Sequence, residues 1–366
     1  MKNILIFLGT RPEAIKLAGL IEELRKKDGA CVTVCNTAQH TELLDGTLSE
    51  LSISVDRRLS TVRRDQSLSE LGSVLLSECS RVIKETCPDL VVVHGDTASA
   101  YFAALAAFFY QVPIAHVEAG LRSGDPFSPF PEEFFRRSVS VISSLDFAPT
   151  EKAAENLYES KKSGKNIYVT GNTVIDTLDM NIRTGYEHSA LEAAKGRRIV
   201  LVTSHRRENI GEPMRRIFFA VREACEQRAD IFAVCPLHKN PAVRKTAKET
   251  LAGCESILMT EPLGVVDFHN IMARSFLVLT DSGGIQEEAA HLGVPVLVAR
   301  ENTERSEGIE SGAAMLVGSD KELIKSAIYR LLDDPSLYEK MKNAPSPYGD
   351  GKASERIAKA ILEYLR

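Results

Sequence analysis

The sequence predicts an α/β protein with two Rossmann-like domains that face each other across a cleft. Three observations support this prediction. Short apolar and β-branched runs alternate with helical patterns along all 366 residues, which is typical of a βαβ chain. Several runs lack polar alternation, as expected for strands of a parallel sheet that is covered on both faces. The runs form two sets of about five, and the length suits two domains of ordinary size.

The first set predicts five strands in the N-terminal half. They are ILIFL (4–8), CVTVCN (31–36), LVVVHG (90–95), VPIAHV (112–117) and IYVTG (167–171). A charged turn, GTRPEAIK, follows the first run directly, so we interpret the N-terminus as a strand and not as a signal peptide. We expect Gly9 to make this first βα turn, and Pro12 suits the first turn of the helix that follows.

The second set predicts five strands in the C-terminal half. They are RIVLVTS (198–204), IFAVCPL (231–237), SILMT (256–260), FLVLTDS (276–282) and VPVLVA (294–299). Between the two sets, residues 172–197 lose the strand pattern and become polar, so the domain boundary should lie there. We therefore expect an N-terminal domain over residues 1–172 and a C-terminal domain over residues 173–346. The tail, residues 347–366, predicts an amphipathic helix that packs back on the N-terminal domain.

Composition and the absence of common motifs exclude several functions. A net charge of −5 gives no reason to expect nucleic acid or an anionic membrane as a partner. No apolar stretch reaches the roughly 20 residues of a membrane-spanning helix. Seven scattered cysteines without a CxxC pair favour free thiols in a reducing cytoplasm over a zinc site or disulfides. The chain also lacks GxGxxG, P-loop and HExxH patterns, which argues against redox cofactors, NTP hydrolysis and zinc catalysis.

A glycine turn in the second half is the strongest phosphate signal. In LVLTDSGGIQEEAAHLG (277–293), a predicted strand leads through Ser282, Gly283 and Gly284 into a predicted helix. Glycines let backbone N–H groups approach an anion, and a helix N-terminus adds partial positive charge. Glu287 and Glu288 lie one turn later, where a carboxylate could accept hydrogen bonds from a ribose diol. An ordinary N-cap turn with acids at the helix start explains the same residues.

Basic residues follow two other strands of the second half. His205, Arg206 and Arg207 come directly after RIVLVTS, and His238 follows the next strand. Guanidinium groups pair with phosphate oxygens in a fork, so this cluster suits a diphosphate. A solvated basic loop is the alternative interpretation.

The first half supplies acids at the corresponding positions. Asp96 follows LVVVHG and Glu118 follows VPIAHV, so both should lie at the same edge of the sheet, where open α/β sheets bind ligands. Carboxylates held there against an apolar sheet are candidates for general acid–base catalysis. Glu132 and Glu133 follow Pro131 at a helix start, where a cap or a surface acid is the simpler interpretation. Acids in one domain and an anion site in the other fit a nucleotide-diphosphate sugar.

Nine motifs together resemble a known family, the non-hydrolysing UDP-N-acetylglucosamine 2-epimerases. From about residue 4 to the C-terminus, the chain contains in order GTRPEAIKLA, TAQH, VHGDT, HVEAGLRSGD, PFPEE, TGNTVID, TSHRRENIGEPMRRI, LTDSGGIQEEA and PYGDG. The resemblance implies the glycosyltransferase-B architecture, a homodimer, and no metal or redox cofactor. It also implies interconversion of UDP-GlcNAc and UDP-ManNAc by elimination of UDP to 2-acetamidoglucal and re-addition. UDP-ManNAc would then supply a cell-envelope polysaccharide.

The resemblance also assigns roles to residues. The positions that match the family's catalytic groups are Asp96, Glu118, Glu132 and His205. The positions that match its substrate and UDP contacts are Arg11, Lys16, Phe268, Ser282, Gly283, Gly284, Glu288 and Arg305, with Phe268 on the uracil side. Which carboxylate takes the C2 proton stays open.

A second, activating UDP-GlcNAc site is known in bacterial members, and part of its pattern is present. The matching positions are Gln39, Gln66, Arg206 and His238. Glu42 stands where many members have Gln, and Asp65 stands where they can have Arg. Because two acids would repel an anionic activator, we hypothesise that activation is reduced or absent.

Four alternatives remain to be compared with this interpretation. A related epimerase could act on a UDP-2,3-diacetamido-uronate, although GTRPEAIK and PFPEE favour the plain sugar. A hydrolysing epimerase would release free ManNAc, but that branch lacks the VHGDT text. A glycosyltransferase would need an open acceptor face in place of these charged residues. A non-catalytic UDP-sugar sensor would have no use for Asp96, Glu118, Glu132 and His205 together.

Overall fold

The computed structural model describes residues 1–37, 42–60, 66–160, 166–303 and 305–366. Over these ranges the chain divides into two compact units. Unit 1 comprises Met1–Met180 and Tyr348–Arg366, and unit 2 comprises Asn181–Pro347. Each contains one parallel sheet with helices packed on it, which confirms the predicted class of two parallel α/β domains.

Unit 1 is built on a seven-stranded parallel sheet. Its strands are β1 (Lys2–Leu8), β2 (Ala30–Asn36), β3 (Arg57–Arg58), β4 (Leu90–His94), β5 (Ile114–Val117), β6 (Leu145–Ala148) and β7 (Ile167–Val169). Their order across the sheet is β3-β2-β1-β4-β5-β6-β7. The five predicted strands are present, and β3 and β6 are additional. Two exposed arginines make up β3, and β6 is a four-residue strand that contains the buried Asp146, so neither has a long apolar run.

Helices alternate with these strands in the part of unit 1 that comes before unit 2 in the chain. They are α1 (Arg11–Arg25), α2 (Glu42–Glu50), α3 (Leu68–Thr86), α4 (Ala98–Phe109), α5 (Glu132–Ile142), α6 (Glu151–Ser160) and α7 (Thr173–Asn181). Unit 1 extends past residue 172 because α7 is bonded into it. The Thr177 hydroxyl, for example, donates to the backbone oxygen of Ile15 in α1 at 2.6 Å.

Unit 2 repeats the pattern with six strands in the order β10-β9-β8-β11-β12-β13. The strands are β8 (Arg198–Thr203), β9 (Ile231–Pro236), β10 (Ile257–Thr260), β11 (Leu277–Thr280), β12 (Val296–Val298) and β13 (Ala314–Leu316). The helices are α8 (Ser189–Ala194), α9 (Glu212–Gln227), α10 (Pro241–Leu251), α11 (Val265–Ala273), α12 (Gly283–His291), α13 (Ser306–Glu310), α14 (Lys321–Asp333) and α15 (Pro335–Lys342). The sequence predicts five of these strands and misses β13, a strand of three residues.

The final helix, α16 (Ala353–Tyr364), belongs to unit 1. Its buried side chains join the apolar cluster that also contains α1 residues, as Ile357 does with Leu17. The carboxylate of Asp176 in α7 accepts the backbone N–H groups of Ser354 at 2.6 Å and Ala353 at 3.2 Å. These bonds satisfy amide groups at the start of α16 that have no partner within the helix.

The turn between β1 and α1 depends on close packing at Gly9. A Cβ atom there would lie 2.1 Å from Thr37 Oγ1 and 2.2 Å from Ser99 Oγ. Gly9 is not in the left-handed region, so the glycine is required for space and not for backbone conformation. Glu13 completes the turn, because its buried carboxylate accepts the Gly9 N–H at 2.9 Å and the Thr10 N–H at 2.7 Å.

Two kinds of feature are absent from the described ranges. None of the helices found there has the length and apolar character needed to cross a bilayer. In the same part of the chain, no group of three or more His, Cys, Asp and Glu side chains is arranged to hold a metal ion.

Candidate functional site

A cavity of about 570 Å³ lies within unit 1, beyond the carboxyl ends of β1, β4 and β5. It brings together the five residues that the family resemblance assigned to catalysis and substrate binding in this domain: Arg11, Lys16, Asp96, Glu118 and Glu132. Asp96 and Glu118 approach each other because β4 and β5 are neighbouring parallel strands. The side chains of Leu68, Leu71 and Phe135 add an apolar wall. The cavity therefore combines acids, cations and apolar surface, as a sugar site would.

Glu118 is fixed from several sides. Its carboxylate forms an ion pair with the Lys16 ammonium and accepts a hydrogen bond from Asn172 Nδ2 at 3.2 Å. The side chains of Lys16 and Glu118 are only 13% and 12% exposed, so each charge depends on the other for compensation. The backbone of Glu118 is left-handed, with φ of +61°, which is strained for a residue with a side chain and is often found at functional sites.

Asp96 is paired with Arg136 of α5. Arg136 donates to Asp96 Oδ2 from Nε at 2.9 Å and also from Nη2. Burial raises the pKa of the Asp96 carboxyl above its ordinary value; Arg136 opposes the shift, and the negative charge of Glu118 adds to it. A carboxyl whose pKa is raised in this way can exchange a proton with a ligand more readily than an ordinary aspartate.

The two glutamates at the start of α5 have different environments. Glu132 is partly exposed and lines the cavity. Glu133 is fully buried and binds Arg137 Nε at 2.7 Å and Arg136 Nη1 at 3.1 Å. The simpler interpretation of Glu133 as a surface acid is therefore wrong, because it anchors the arginine that holds Asp96.

The sequence did not single out His94, the last residue of β4. Its side chain is buried and lines the cavity, and its Nε2 lies 3.9 Å from Glu118 Oε2 without a hydrogen-bond partner in the described part of the chain. Burial lowers the pKa of His94 to about 3, although Glu118 opposes the shift. The imidazole is therefore neutral at physiological pH. A polar residue at the end of an apolar run was the available sequence signal.

In unit 2, Asp281 organises the loop that follows β8. It is fully buried at the end of β11, the neighbour of β8 in the sheet. Its carboxylate accepts hydrogen bonds from Ser204 Oγ at 2.9 Å, the His205 N–H at 3.0 Å, the Arg206 N–H at 3.1 Å and Asn209 Nδ2 at 2.9 Å. The sequence presented Asp281 only as part of a motif, without a role.

The predicted basic cluster lies on this loop. His205 is 40% exposed, with Nδ1 3.6 Å from Asp281 Oδ1. Its ring stacks on that of His238, with centroids 5.4 Å apart and planes 13° apart. Arg206 Nε donates to the backbone oxygen of Asp281 at 2.9 Å. Burial lowers the pKa of His238, and His205 acts in the same direction. The structure thus brings His205 and His238 together, and Arg206 follows His205 on the same loop.

The predicted helix is present as α12, but it begins at Gly283, so both glycines belong to its first turn and do not precede it. Ser282 is the N-cap residue, and its side chain makes no capping hydrogen bond to the helix. Among the described residues, a Cβ atom on Gly284 would meet nothing within 4 Å, so this part of the chain leaves the backbone open to a ligand there. The helix N-terminus and the 204–209 loop adjoin, because Asp281 immediately precedes Ser282. This is a suitable arrangement for an anion.

The remaining predicted residues of unit 2 lie around α12. Glu288 Oε2 is 3.7 Å from Nε2 of the buried His269 in α11. Phe268, the preceding residue, is partly buried. Arg305 Nε donates to Glu287 Oε1 at 2.8 Å. Glu287 therefore helps to fix Arg305, whereas Glu288 contacts the helix that carries Phe268.

The residues of the predicted activator site are only partly described. Gln39 and Asp65 lie outside the described residues, and so does the side chain of Glu42. Gln66 is partly buried and directly precedes Ser67, the N-cap of α3. Arg206 and His238 lie on the loops of unit 2 described above.

Comparisons with known proteins agree over nearly the whole chain. The family model described as UDP-N-acetylglucosamine 2-epimerase matches residues 22–362. The UDP-N-acetylglucosamine 2-epimerase of Bacillus subtilis is 45% identical over 360 residues, which cover 98% of this chain and 95% of that protein. The structure of Staphylococcus aureus MnaA with UDP is 45% identical with a TM-score of 0.92, covering 100% of this chain and 97% of that one. The Neisseria meningitidis UDP-GlcNAc 2-epimerase bound to UDP-GlcNAc is 40% identical with a TM-score of 0.88, covering 99% and 100%.

Proposed function

Because the chain belongs to the UDP-N-acetylglucosamine 2-epimerase family, we propose that it interconverts UDP-GlcNAc and UDP-ManNAc without hydrolysis. A base removes the C2 proton, the C1–C2 double bond forms, and the C1–O bond to UDP breaks. The products of this step are 2-acetamidoglucal and UDP. Addition of UDP to C1 and of a proton to the other face of C2 then gives the epimer. The reaction balances without an oxidant or a reductant.

Unit 1 would carry the chemistry at the sugar. Inversion at C2 needs groups that exchange protons with both faces, and the cavity offers the carboxyls of Asp96, Glu118 and Glu132. Asp96 and Glu118 have different partners, Arg136 and Lys16. Burial raises the pKa of the Asp96 carboxyl, which favours its use in proton exchange. The single observation that carries the proposal is this cavity, because one site holds all three candidate acids together.

Unit 2 would hold the UDP moiety. The N-terminus of α12 at Ser282, Gly283 and Gly284 would receive the diphosphate, together with the side chains of His205 and Arg206. Glu288 would contact the ribose and Phe268 the uracil. Arg305, fixed by Glu287, would add positive charge. The relatives solved with UDP and with UDP-GlcNAc support this choice of ligand.

Product analysis tests the proposal. Purified protein is incubated with UDP-GlcNAc, and the anomeric proton signals of the nucleotide sugars are followed by NMR. We expect UDP-ManNAc to appear and the same final mixture to form from either epimer. Release of free ManNAc and UDP in equal amounts would instead indicate a hydrolysing enzyme.

Three finer points belong to the same proposal. UDP-ManNAc would supply a cell-envelope polysaccharide. The active form would be a homodimer, and light scattering would give its mass in solution. In support of this point, the side chains of Phe108, Phe109 and Tyr110 at the end of α4 are each about half exposed. Activation by UDP-GlcNAc would be reduced or absent, given Glu42 and Asp65. A sigmoidal rate curve for UDP-ManNAc that becomes hyperbolic when UDP-GlcNAc is added would contradict that last point.

A further inference from the structure

We infer that Asp281 is a positioning residue of the unit 2 anion site. Its buried carboxylate holds loop 204–209 in the conformation that presents His205 and Arg206 to a diphosphate. The inference rests on the proposed function, because the diphosphate is that of the proposed UDP-sugar. Asp281 itself does not touch the ligand in this account.

The hydrogen bonds of Asp281 explain why a full carboxylate is buried here. Four donors converge on it from a stretch of six residues: a hydroxyl, two backbone N–H groups and a side-chain amide. Hydrogen bonds to an ionised acceptor are roughly twice as strong as neutral ones. A buried charge is tolerated only when such bonds replace its hydration. The loop conformation and the charge of Asp281 therefore depend on each other.

These bonds determine which groups remain for a ligand. The backbone N–H groups of His205 and Arg206 both donate to Asp281, so these two amides are not the anion's donors. The 40% exposed side chain of His205 is accessible instead. Arg206 is anchored through Nε to the backbone oxygen of Asp281. Since Ser282 is the next residue, Asp281 joins the loop to the start of α12 through both its side chain and its backbone.

Asp281 also influences which ring nitrogen of His205 carries the proton. A carboxylate oxygen 3.6 Å from Nδ1 favours a proton on that nitrogen by electrostatic attraction. In the neutral ring Nε2 then carries the lone pair and can accept a proton. Stacking on His238 restricts one face of the ring.

The test compares Asp281→Asn with Asp320→Ala in the full-length protein. The asparagine keeps the shape of the side chain but presents an NH₂ group to donors that need an acceptor. Asp320 caps α14 in the same unit by accepting the Leu323 N–H at 2.9 Å, so its variant controls for general destabilisation. UDP binding is measured by calorimetry, amide exchange in 204–209 by mass spectrometry, and the His205 tautomer by nitrogen NMR.

For Asp281→Asn we expect UDP affinity to fall at least about tenfold, since charged hydrogen bonds contribute on this scale. Exchange at residues 204–209 should accelerate, and the His205 tautomer should shift away from Nδ1–H. Asp320→Ala should change UDP affinity less than about twofold and leave the tautomer unchanged. Wild-type affinity and tautomer in Asp281→Asn would overturn the inference, as would equal effects of the two variants.

A milder variant keeps the test valid if Asp281→Asn does not fold. Ser204→Ala with Asn209→Ala removes two donors and retains the carboxylate, so the same changes should appear with smaller size. Unchanged exchange and unchanged UDP affinity in this double variant would overturn the inference. If the wild type itself does not bind UDP, the proposed function fails. The exchange and tautomer comparisons would still decide whether Asp281 positions the loop.

Discussion

Replacing Glu118 by glutamine separates catalysis from nucleotide binding. The change removes one negative charge from the unit 1 cavity and keeps the size of the side chain. The amide oxygen of the new glutamine can still contact Asn172 and Lys16, so the fold of β5 should survive. No residue that we propose as a UDP contact in unit 2 is altered.

The structure gives the size of the expected effects. Removing one member of a buried ion pair costs about 3–5 kcal/mol when the remaining charge is uncompensated. Here the Lys16 charge also acts on Asp96, so we expect a smaller loss of about 1–3 kcal/mol. Loss of a general acid–base group lowers turnover by a factor of about 10²–10⁴. UDP affinity should stay within about twofold of the wild-type value, since a tenfold change needs about 1.4 kcal/mol at the ligand itself.

Three measurements follow from this change. Urea unfolding gives the stability, calorimetry gives the UDP affinity, and NMR of UDP-GlcNAc conversion gives the turnover. Lys16→Met with Glu118→Gln removes both charges and should recover most of the lost stability but none of the turnover. The reasoning would be refuted if Glu118→Gln kept more than about a tenth of wild-type turnover, well above the loss expected for an acid–base group, or if UDP affinity fell as much as turnover.

Three further outcomes concern stability and thiol chemistry. Burial lowers the pKa of His94 to about 3 in the folded protein, whereas the same histidine in the unfolded chain binds a proton below about pH 6.5. The free energy of unfolding of the wild type, measured with urea, should therefore fall by about 1.4 kcal/mol between about pH 8 and 5.5. His94→Gln should not show this loss. Gly9→Ala should destabilise the protein by about 1–3 kcal/mol because of the clash at Thr37 and Ser99. Gly46 is exposed in α2, and no described residue lies within 4 Å of a Cβ atom placed there, so Gly46→Ala should be neutral or stabilising by up to about 1 kcal/mol. Equal effects of the two variants would show that packing at Gly9 is not the cause. Ellman's reagent should label the exposed thiols rapidly in native protein and the buried ones only after unfolding, since burial raises their pKa values; fast labelling of the buried set would contradict the packing. The exposed thiols are Cys31 and Cys87, and the buried ones are Cys35, Cys79, Cys225 and Cys235.

The sequence was informative where a residue's environment follows from its position along a strand. Long apolar runs identified β1, β4, β8 and β9 because strands that are buried on both faces need continuous apolar residues. The same reasoning brought Asp96 and Glu118 together, since parallel strands end at one edge. It could not find β3, β6 or β13, which are short and contain polar or exposed residues.

Residues whose roles depend on partners far away in the chain could not be predicted from the sequence. The role of Asp281 depends on donors more than 70 positions away in the chain, and the neutral state of His94 depends on burial. The pairing of Glu133 was easier to predict from the sequence, because arginines three and four residues later commonly pair with a glutamate on a helix. Such spacing distinguishes an anchored acid from a surface acid only when the face of the helix is also known.

Exchange at C2 tests the proposed reaction most directly. Purified protein is incubated with UDP-GlcNAc in deuterium oxide, and the C2 position of both epimers is followed by proton NMR. Removal and return of the C2 proton by exchangeable side chains predicts that UDP-ManNAc forms with deuterium at C2. UDP-ManNAc that forms and keeps protium at C2 would contradict the proposed elimination and the role of the unit 1 carboxyls.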